Sequence, residues 1–447
     1  MIVLWTDGLL FLLVLMIVSL GFYLRGKEHL QRPLAKIKSS RAGMVALVVL
    51  FFFVIIGLMD SIHFKLANDK TNEVISLLDY WATPIREQQE KSYSAPFSAY
   101  LYSKELIRSE DGVQRWTYSR LKYGGRHLIN PETEKTQDIA KKAALGFVKG
   151  AALFGFVFFL LWGLRKQQNK VLLPNKTSKA VWLTTFVMVS GSYTLIDLST
   201  WYHVLGTDKV GEDVFYQTVK SIRTGLVIGT LTTLIMLPLA IVFGILAGFF
   251  RGWVDDVIQY IYTTLNSIPS VLLIAASILM VQVYMANNED QFTNLVVRAD
   301  MRLFFLCLIL GVTSWTGLCR LLRAETMKLR EMEYVQAAQA LGVRRRIILI
   351  RHILPNVMHI VLISVVLDFS SLVLAEAVLS YINIGVDPTT YSWGNMINGA
   401  RLEMAREPIV WWSLLASFLF MFSLVLAANI FADTVRDAFD PRRANND

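Results

Sequence analysis

Two carboxylates, Asp368 and Glu376, lie eight residues apart inside an otherwise apolar run, 356–379. Eight residues make about two helical turns, so both fall on roughly one face. An ionised carboxylate at mid-membrane costs at least about 2.5 to 3.5 kcal/mol on insertion scales, which turns such groups toward a bundle interior or a water-filled path. There, Asp368 either meets a cationic group of a passing solute or accepts a hydrogen bond from a neighbouring helix, and the pattern leaves the two even. A second polar island, 331–356, carries Glu331, Glu333 and the run Arg344-Arg345-Arg346. Tyr334, Ala337, Ala338 and Leu341 recur there at three- and four-residue spacing and share one helical face. The two alanines keep the middle of that face small, so another surface can approach closely. Gly342 falls where a helix needs a left-handed cap, which glycine adopts without steric cost. Leu354-Pro355 precedes the next apolar run, and a proline in a helix's first turn loses no hydrogen bond.

Other reactive patterns are weaker. Gly21-Phe-Tyr-Leu-Arg-Gly26-Lys27-Glu28 has the glycine and lysine spacing of a phosphate loop. Glu28 replaces the Ser or Thr that would hold magnesium, however, and the segment ends an apolar run instead of following a strand. His29, His63, His127, His203, His352 and His359 show no zinc-site spacing with cysteines or carboxylates, so no metal site is expected. Cys307 and Cys319 fall on one predicted helix, roughly 18 Å apart along its axis, beyond the roughly 7 Å reach of a disulfide. There is no nucleophile elbow, and no catalytic residue is assigned.

The elements that position these groups are apolar helices. Hydrophobic residues form 54% of the 447, charged residues only 18%, and mean hydropathy is +0.46; soluble domains carry roughly 25% charge. The net charge of +9 raises the question of nucleic acid, but the basic residues cluster beside apolar runs, the signature of cytoplasmic loops. Runs near the roughly 20 residues that cross a bilayer are 2–24, 43–60, 144–164, 179–198, 220–250, 257–286, 302–322, 356–379 and 410–433. The connector 25–42 with Arg25, Lys27, Arg32, Lys36, Lys38 and Arg41, and the connector 165–178 with Arg165, Lys166, Lys170 and Lys176, read as cytoplasmic. Alternation then places 323–355 and the tail with Arg436, Arg442 and Arg443 inside and the N-terminus outside. Asp7 and the lack of a basic first segment mark 2–24 as an uncleaved anchor. The run 220–250 carries Gly225-x-x-x-Gly229 and Gly244-x-x-x-Gly248 around Pro238, which suits close packing first and a gating hinge second.

The island resembles the EAA loop of ABC-importer permeases in the form typical of dipeptide and oligopeptide systems. The resemblance rests on Glu333-Tyr334-Val335, Ala337-Ala338, Gly342 and His352-Ile353-Leu354-Pro355-Asn356, with Gln336 standing where the motif has glutamate. Three further stretches are similar to the same permeases: His203 to Phe215 with Gly206-Thr207-Asp208, where Glu212 replaces the usual arginine; Glu376 to Gly385 followed by Ser392-Trp393-Gly394-Asn395-Met396; and Asp433 to Arg442. The resemblance covers residues from about 179 onward.

It implies an all-α integral membrane protein: a six-helix type I importer core at 179–447 with its coupling loop at 323–356. To this core are added transmembrane helices at 1–60, an outer insertion at 61–143, and a third helix and linker at 144–178. It implies a multi-pass permease of the bacterial inner membrane, most like the second permease subunit of peptide systems. Glu333, Tyr334, Ala337, Ala338, Gly342, Arg345, His352, Leu354 and Pro355 would couple to the ATPase, with Gly206, Thr207, Asp208, Trp393 and Gly394 on the outer face. The implied partners are a homologous permease, two ATPase subunits, an extracytoplasmic substrate-binding protein and membrane lipid, with no nucleic acid. This chain would bind no cofactor, since ATP and magnesium sit on the ATPases. Substrate is left open among dipeptides, longer peptides and metal chelates. Readings from other classes, a secondary transporter using the intramembrane acids as ion sites or a membrane scaffold, leave the 331–356 island unexplained.

Overall fold

The computed structural model describes residues 4–24, 28–65, 74–108, 114–167, 176–288 and 294–439. Arg25, Gly26, Lys27, Lys170 and the Asp440-Pro441-Arg442-Arg443 end of the tail lie outside these residues. Among the described residues, seven helices are long and apolar enough to cross a membrane: Arg41–Asp60, Pro131–Leu164, Lys176–Ser199, Val214–Phe250, Ser270–Asn287, Arg345–Tyr381 and Trp412–Phe439. Each coincides with an expected run. The two remaining expected runs are occupied by α1 (Trp5–Leu24) and α11 (Leu295–Ser314), the latter apolar only beyond Arg298, Asp300 and Arg302.

Two expected spans are divided. The run 257–286 becomes α9 (Trp253–Ser267) and α10 (Ser270–Asn287), because Pro269 forces Ile268 out of the helical region, to φ −90 and ψ 130. The run 302–322 is split at Trp315 between α11 and the charged, amphipathic α12 (Thr316–Arg330). Cys307 and Cys319 therefore sit on consecutive helices rather than one, both free and buried. The basic connector 25–42 also contains a helix, α2 (Glu28–Ser39).

The chain divides into two units. The first comprises the described residues within 38–224 and 391–427. In it α3 (Arg41–Asp60), α6 (Pro131–Gln167) and α7 (Lys176–Ser199) form a helical group. Gly150 of α6 lies so close to α7 that a Cβ there would stand 2.7 Å from the Ser190 Cα, the close approach that small residues allow between membrane helices. The described residues of the 61–143 insertion are folded. Its first pair, β1 (His63–Lys65) and β2 (Val74–Ser76), is antiparallel with Phe64 opposite Ile75. Next comes α4 (Leu77–Trp81), started by a reciprocal cap in which the Ser76 hydroxyl accepts from the Asp79 amide and the Asp79 carboxylate accepts from the Ser76 amide, both at 3.0 Å. After α5 (Thr83–Arg86), the hairpin β3 (Tyr100–Arg108) and β4 (Gln114–Arg120) sets Leu106 opposite Trp116. The last residues of the insertion belong to α6, which begins at Pro131. The first unit also holds α16 (Trp393–Glu403), capped by the Ser392 hydroxyl.

The second unit comprises the described residues within 4–37, 225–390 and 428–439. The boundary falls within α8 (Val214–Phe250) and α17 (Trp412–Phe439). The α8 helix runs unbroken through Pro238. A Cβ at Gly244 would lie 2.7 Å from the Leu322 side chain and one at Gly248 2.6 Å from the Arg323 carbonyl, so the second glycine pair serves close packing on α12. The core of this unit joins Met236, Ala240 and Phe249 of α8, Ile258 and Tyr262 of α9, and Leu318, Cys319 and Leu322 of α12. The same core takes in Val335 and Ala338 of α13 (Glu333–Ala340), Ile348 of α14 (Arg345–Ile348), Ile353, and Val357 of α15 (Leu354–Tyr381).

Candidate functional site

The island 331–356 is a two-helix segment seated on the core by a few apolar side chains. Val335, Ile348 and Ile353 are completely buried, and each contributes roughly 1.5 to 3 kcal/mol by leaving water. Between α13 and α14 the chain reverses at Gly342, φ +73, with nothing within 4 Å of where a Cβ would be. The cap is therefore a backbone requirement and not a packing one. A wider helical turn, Leu349–Ile353, then leads into α15, which carries Pro355 in its first turn.

The helical face expected from spacing is corrected at one residue. Tyr334, Ala337 and Leu341 point outward, Leu341 with 83% exposure, whereas Ala338 is buried against the core at 8%. The reason is periodicity: Ala338 is three residues from Val335 and follows it inward. Glu333 opens α13 and is exposed. Tyr334 is braced from behind: its hydroxyl accepts from the Asn356 amide at 3.1 Å, and its ring centroid lies 6.2 Å from that of His352. Leu354 is partly buried and Pro355 exposed. Gln336 donates to the Glu331 carbonyl at 3.3 Å, while Glu331 pairs with Arg251 at 2.7 Å. Beneath the segment, Arg323 forks onto Asp255 at 2.6 and 2.7 Å; this contact holds the Asp255 carboxyl below its usual range. The Arg345 guanidinium turns back over the Phe250 ring at 5.7 Å.

Asp368 and Glu376 both lie on α15 but in different settings. Glu376 is 2% exposed and accepts from the Ser380 hydroxyl at 2.7 Å. Asp368 is half-buried, and its carboxylate has no hydrogen-bond or ion-pair partner among the described residues.

In the first unit, the stretch 203–215 and the insertion are tied together through His203. Its Nδ1 lies 2.8 Å from Asp213 Oδ2 and its Nε2 3.4 Å from Glu90 Oε1, all three side chains buried. Burial by itself would depress the imidazole, but the two carboxylates outweigh it and hold the pKa at about 9, so His203 is a cation that donates from both nitrogens. Burial would raise the Glu90 carboxyl, yet His203 and the backbone amides of Lys122, Tyr123 and Gly124 hold it low. Asp213 Oδ1 also accepts from the Phe215 and Tyr216 amides at 2.8 and 3.1 Å, capping α8.

Gly206 has φ +71, and a Cβ there would meet the Ser94 carbonyl at 2.4 Å. The Thr207 hydroxyl donates to the Ser92 carbonyl at 2.8 Å and accepts from the Ser94 amide at 2.7 Å, and its carbonyl accepts from the Trp412 indole at 2.9 Å. Asp208 Oδ1 accepts from the Val210 and Glu212 amides at 2.9 Å. Glu212, in place of the usual arginine, accepts from Gln217 at 3.0 Å. Trp393 is buried and donates to the Thr218 carbonyl at 3.1 Å, with Gly394 buried beside it. A second tie was not anticipated: Lys220 of α8 bonds Asp79, which also accepts from the Tyr216 hydroxyl at 2.6 Å. Desolvation of Asp79 is overridden by Lys220, leaving its pKa near about 2. The Ser76-Leu-Leu-Asp79 spacing is a capping pattern legible in the sequence; its pairing with Lys220 is not.

Apolar helices of spanning length, joined to an amphipathic segment that displays an apolar face in front of a buried core, define an integral membrane protein. The family described as binding-protein-dependent transport system inner membrane component matches residues 240–445. The dipeptide transport system permease protein DppC of Lactococcus lactis is 30% identical over 244 residues, which is 55% of this chain and 65% of that one. The oligopeptide transport system permease protein OppC of Mycobacterium tuberculosis is 30% identical over 239 residues, 54% of this chain and 76% of that one. A putative peptide permease protein of Brucella suis is 31% identical over 249 residues, 55% and 76% respectively. The chain belongs to this family of inner-membrane permeases of ABC importers; it is a multi-pass membrane protein and a transport component.

Proposed function

We propose that the chain forms half of the translocation pathway of an ATP-driven importer for peptides, paired with a homologous permease, driven by two ATPase subunits that carry the ATP and magnesium, and fed by an extracytoplasmic binding protein. Peptide substrates are supported by the names of the relatives. In this reading the N-terminus and the 61–143 insertion are outside, and 331–356 and the C-terminus are cytoplasmic. The proximity of Thr6 to Asp300, whose carboxylate accepts the Thr6 amide at 3.3 Å, supports the N-terminal assignment, since alternation puts both at one face.

The observation that carries the proposal is the outward face of α13. Tyr334, Ala337 and Leu341 stand in water in front of a sealed core, and an apolar ridge of this kind needs a partner groove. Glu333 and Gly342 shape the ridge, Ala338 and Leu354 seat it, Pro355 starts the helix behind it, and His352 braces Tyr334. When the ATPase dimer closes on ATP, the groove moves the ridge, and the shared core passes that movement to α8, α12 and α15. Switching requires that nucleotide and loaded receptor each favour one conformation. Asp368, half-buried and with no partner for its carboxylate among the described residues, lines the path and meets the peptide ammonium group; Glu376, on the same helix, supports the path from its buried position. A cysteine at position 341 should cross-link to the ATPase in the assembled transporter, with a yield that changes on adding ATP; absence of any cross-link to a nucleotide-hydrolysing subunit would refute the assignment.

A further inference from the structure

On the reverse side of α13 there is a cavity of about 270 Å³ lined by Phe249, Phe250, Arg330, Gln339, Val343, Arg345 and Ile348. Three observations bear on its occupant. Arg330 and Arg345 both line it, and neither pairs with a carboxylate among the described residues, although the neighbouring Arg251 and Arg323 each do. Their guanidinium groups are also held in place: Arg330 donates to the Phe249 carbonyl at 2.9 Å, and Arg345 lies over the Phe250 ring. Finally, Phe249 and Phe250 are the last residues of Val214–Phe250, a helix long and apolar enough to cross a membrane, so the cavity lies at the end of that helix. Apolar Val343 and Ile348 complete it.

Its direction separates it from the ATPase-facing ridge. Gln339 is exposed but lies about four residues beyond Val335, on the side of α13 roughly opposite Tyr334, Ala337 and Leu341. An acidic side chain of a subunit docked on the ridge would approach from the other side. We infer that Arg330 and Arg345 form a binding site for the phosphate group of an acidic phospholipid of the cytoplasmic leaflet, bridging the end of α8 and the α13–α14 segment. The side of the membrane, though not the site, rests on the orientation proposed above. Two guanidinium groups offer paired donors to phosphate oxygens, Gln339 offers an amide, and the aromatic wall faces the glycerol and upper acyl chain. Arg345 then acts on coupling through a bound lipid, not by touching the ATPase.

The test uses the complete transporter, delipidated and reconstituted in nanodiscs that contain either phosphatidylglycerol or phosphatidylcholine. Native mass spectrometry should show phosphatidylglycerol retained in preference to phosphatidylcholine. Each of Arg330→Gln and Arg345→Gln should weaken that preference about fivefold, the effect of one basic group near a membrane surface. Lys328→Gln, which removes an exposed charge paired with Glu325, should leave it unchanged. Arg345 is exposed, so its replacement tests the site even if Arg330→Gln destabilises the fold. Equal losses in Lys328→Gln and Arg345→Gln would reduce the site to diffuse charge and overturn it. Displacement of the lipid by millimolar inorganic phosphate would assign the cavity to a free phosphate anion instead of a lipid. Unchanged lipid selectivity with loss of ATPase copurification in Arg345→Gln would assign it to the ATPase and refute the lipid. Because lipid retention is read without transport, failure here is distinguishable from failure of the proposed function.

Discussion

His203 and Asp213 meet at 2.8 Å inside the protein, and the same imidazole reaches Glu90, 113 residues earlier, at 3.4 Å. One cation thus holds the cap of a membrane helix and the centre of the insertion together. Replacing it leaves two buried carboxylates without a counter-charge. His203→Gln should cost about 3 to 5 kcal/mol, seen as a lower melting temperature of the purified protein; an unaltered melting curve would mean that the clamp carries no load.

The clamp should also be lost in alkali. The folded pKa of His203 is about 9, above the ordinary value of roughly 6.5, so the folded protein binds the extra proton between them and stability falls as pH rises. Its contribution is complete below about 6.5 and gone above about 9. Asp79 has the opposite sign: with a folded pKa of about 2 against an ordinary 3.8, its contribution is complete above the ordinary value and lost as pH falls through 2. Melting temperatures of the native protein and His203→Gln should converge between pH 7 and 10.

Gly342 at φ +73 has open space around it, so a side chain there meets only backbone strain, about 1 to 2 kcal/mol for a left-handed residue. Gly342→Val should tilt α13 relative to α14 and reduce uptake more than ATP hydrolysis. Normal uptake with normal ATPase copurification would count against the docking assignment.

Leu341 is largely in water, so Leu341→Asp should leave the melting temperature of the isolated chain unchanged while weakening copurification of the ATPase. Val335→Asp, which buries a charge in the core, should instead prevent folding. If both variants lost stability equally, the ridge would be part of the core and not a docking face.

Asp368→Asn keeps shape and removes charge. Uptake of substrates with a free amino terminus should fall several-fold through KM, and uptake of amino-blocked ones should not change. Identical kinetics for every substrate would take Asp368 out of the pathway.

The amino-acid order by itself determined most of the spans, the polar island and its glycine reversal, because each depends on local causes: an apolar run long enough for a bilayer needs no distant partner, and a left-handed cap is a property of one residue. It also carried the breaks, since Pro269 stands plainly inside 257–286, yet composition outweighed the proline there. Tertiary structure decided what local periodicity leaves degenerate. Ala337 and Ala338 are identical in chemistry, and only the core beneath Val335 selects which one faces outward. Glu90 with His203, and Asp79 with Lys220, are charges whose meaning depends on a partner more than a hundred residues away. Arg345 belongs to a basic run that reads as a solvated surface until folding brings it with Arg330 to one cavity, since charge pairing depends on distance in space and the chain order does not record it.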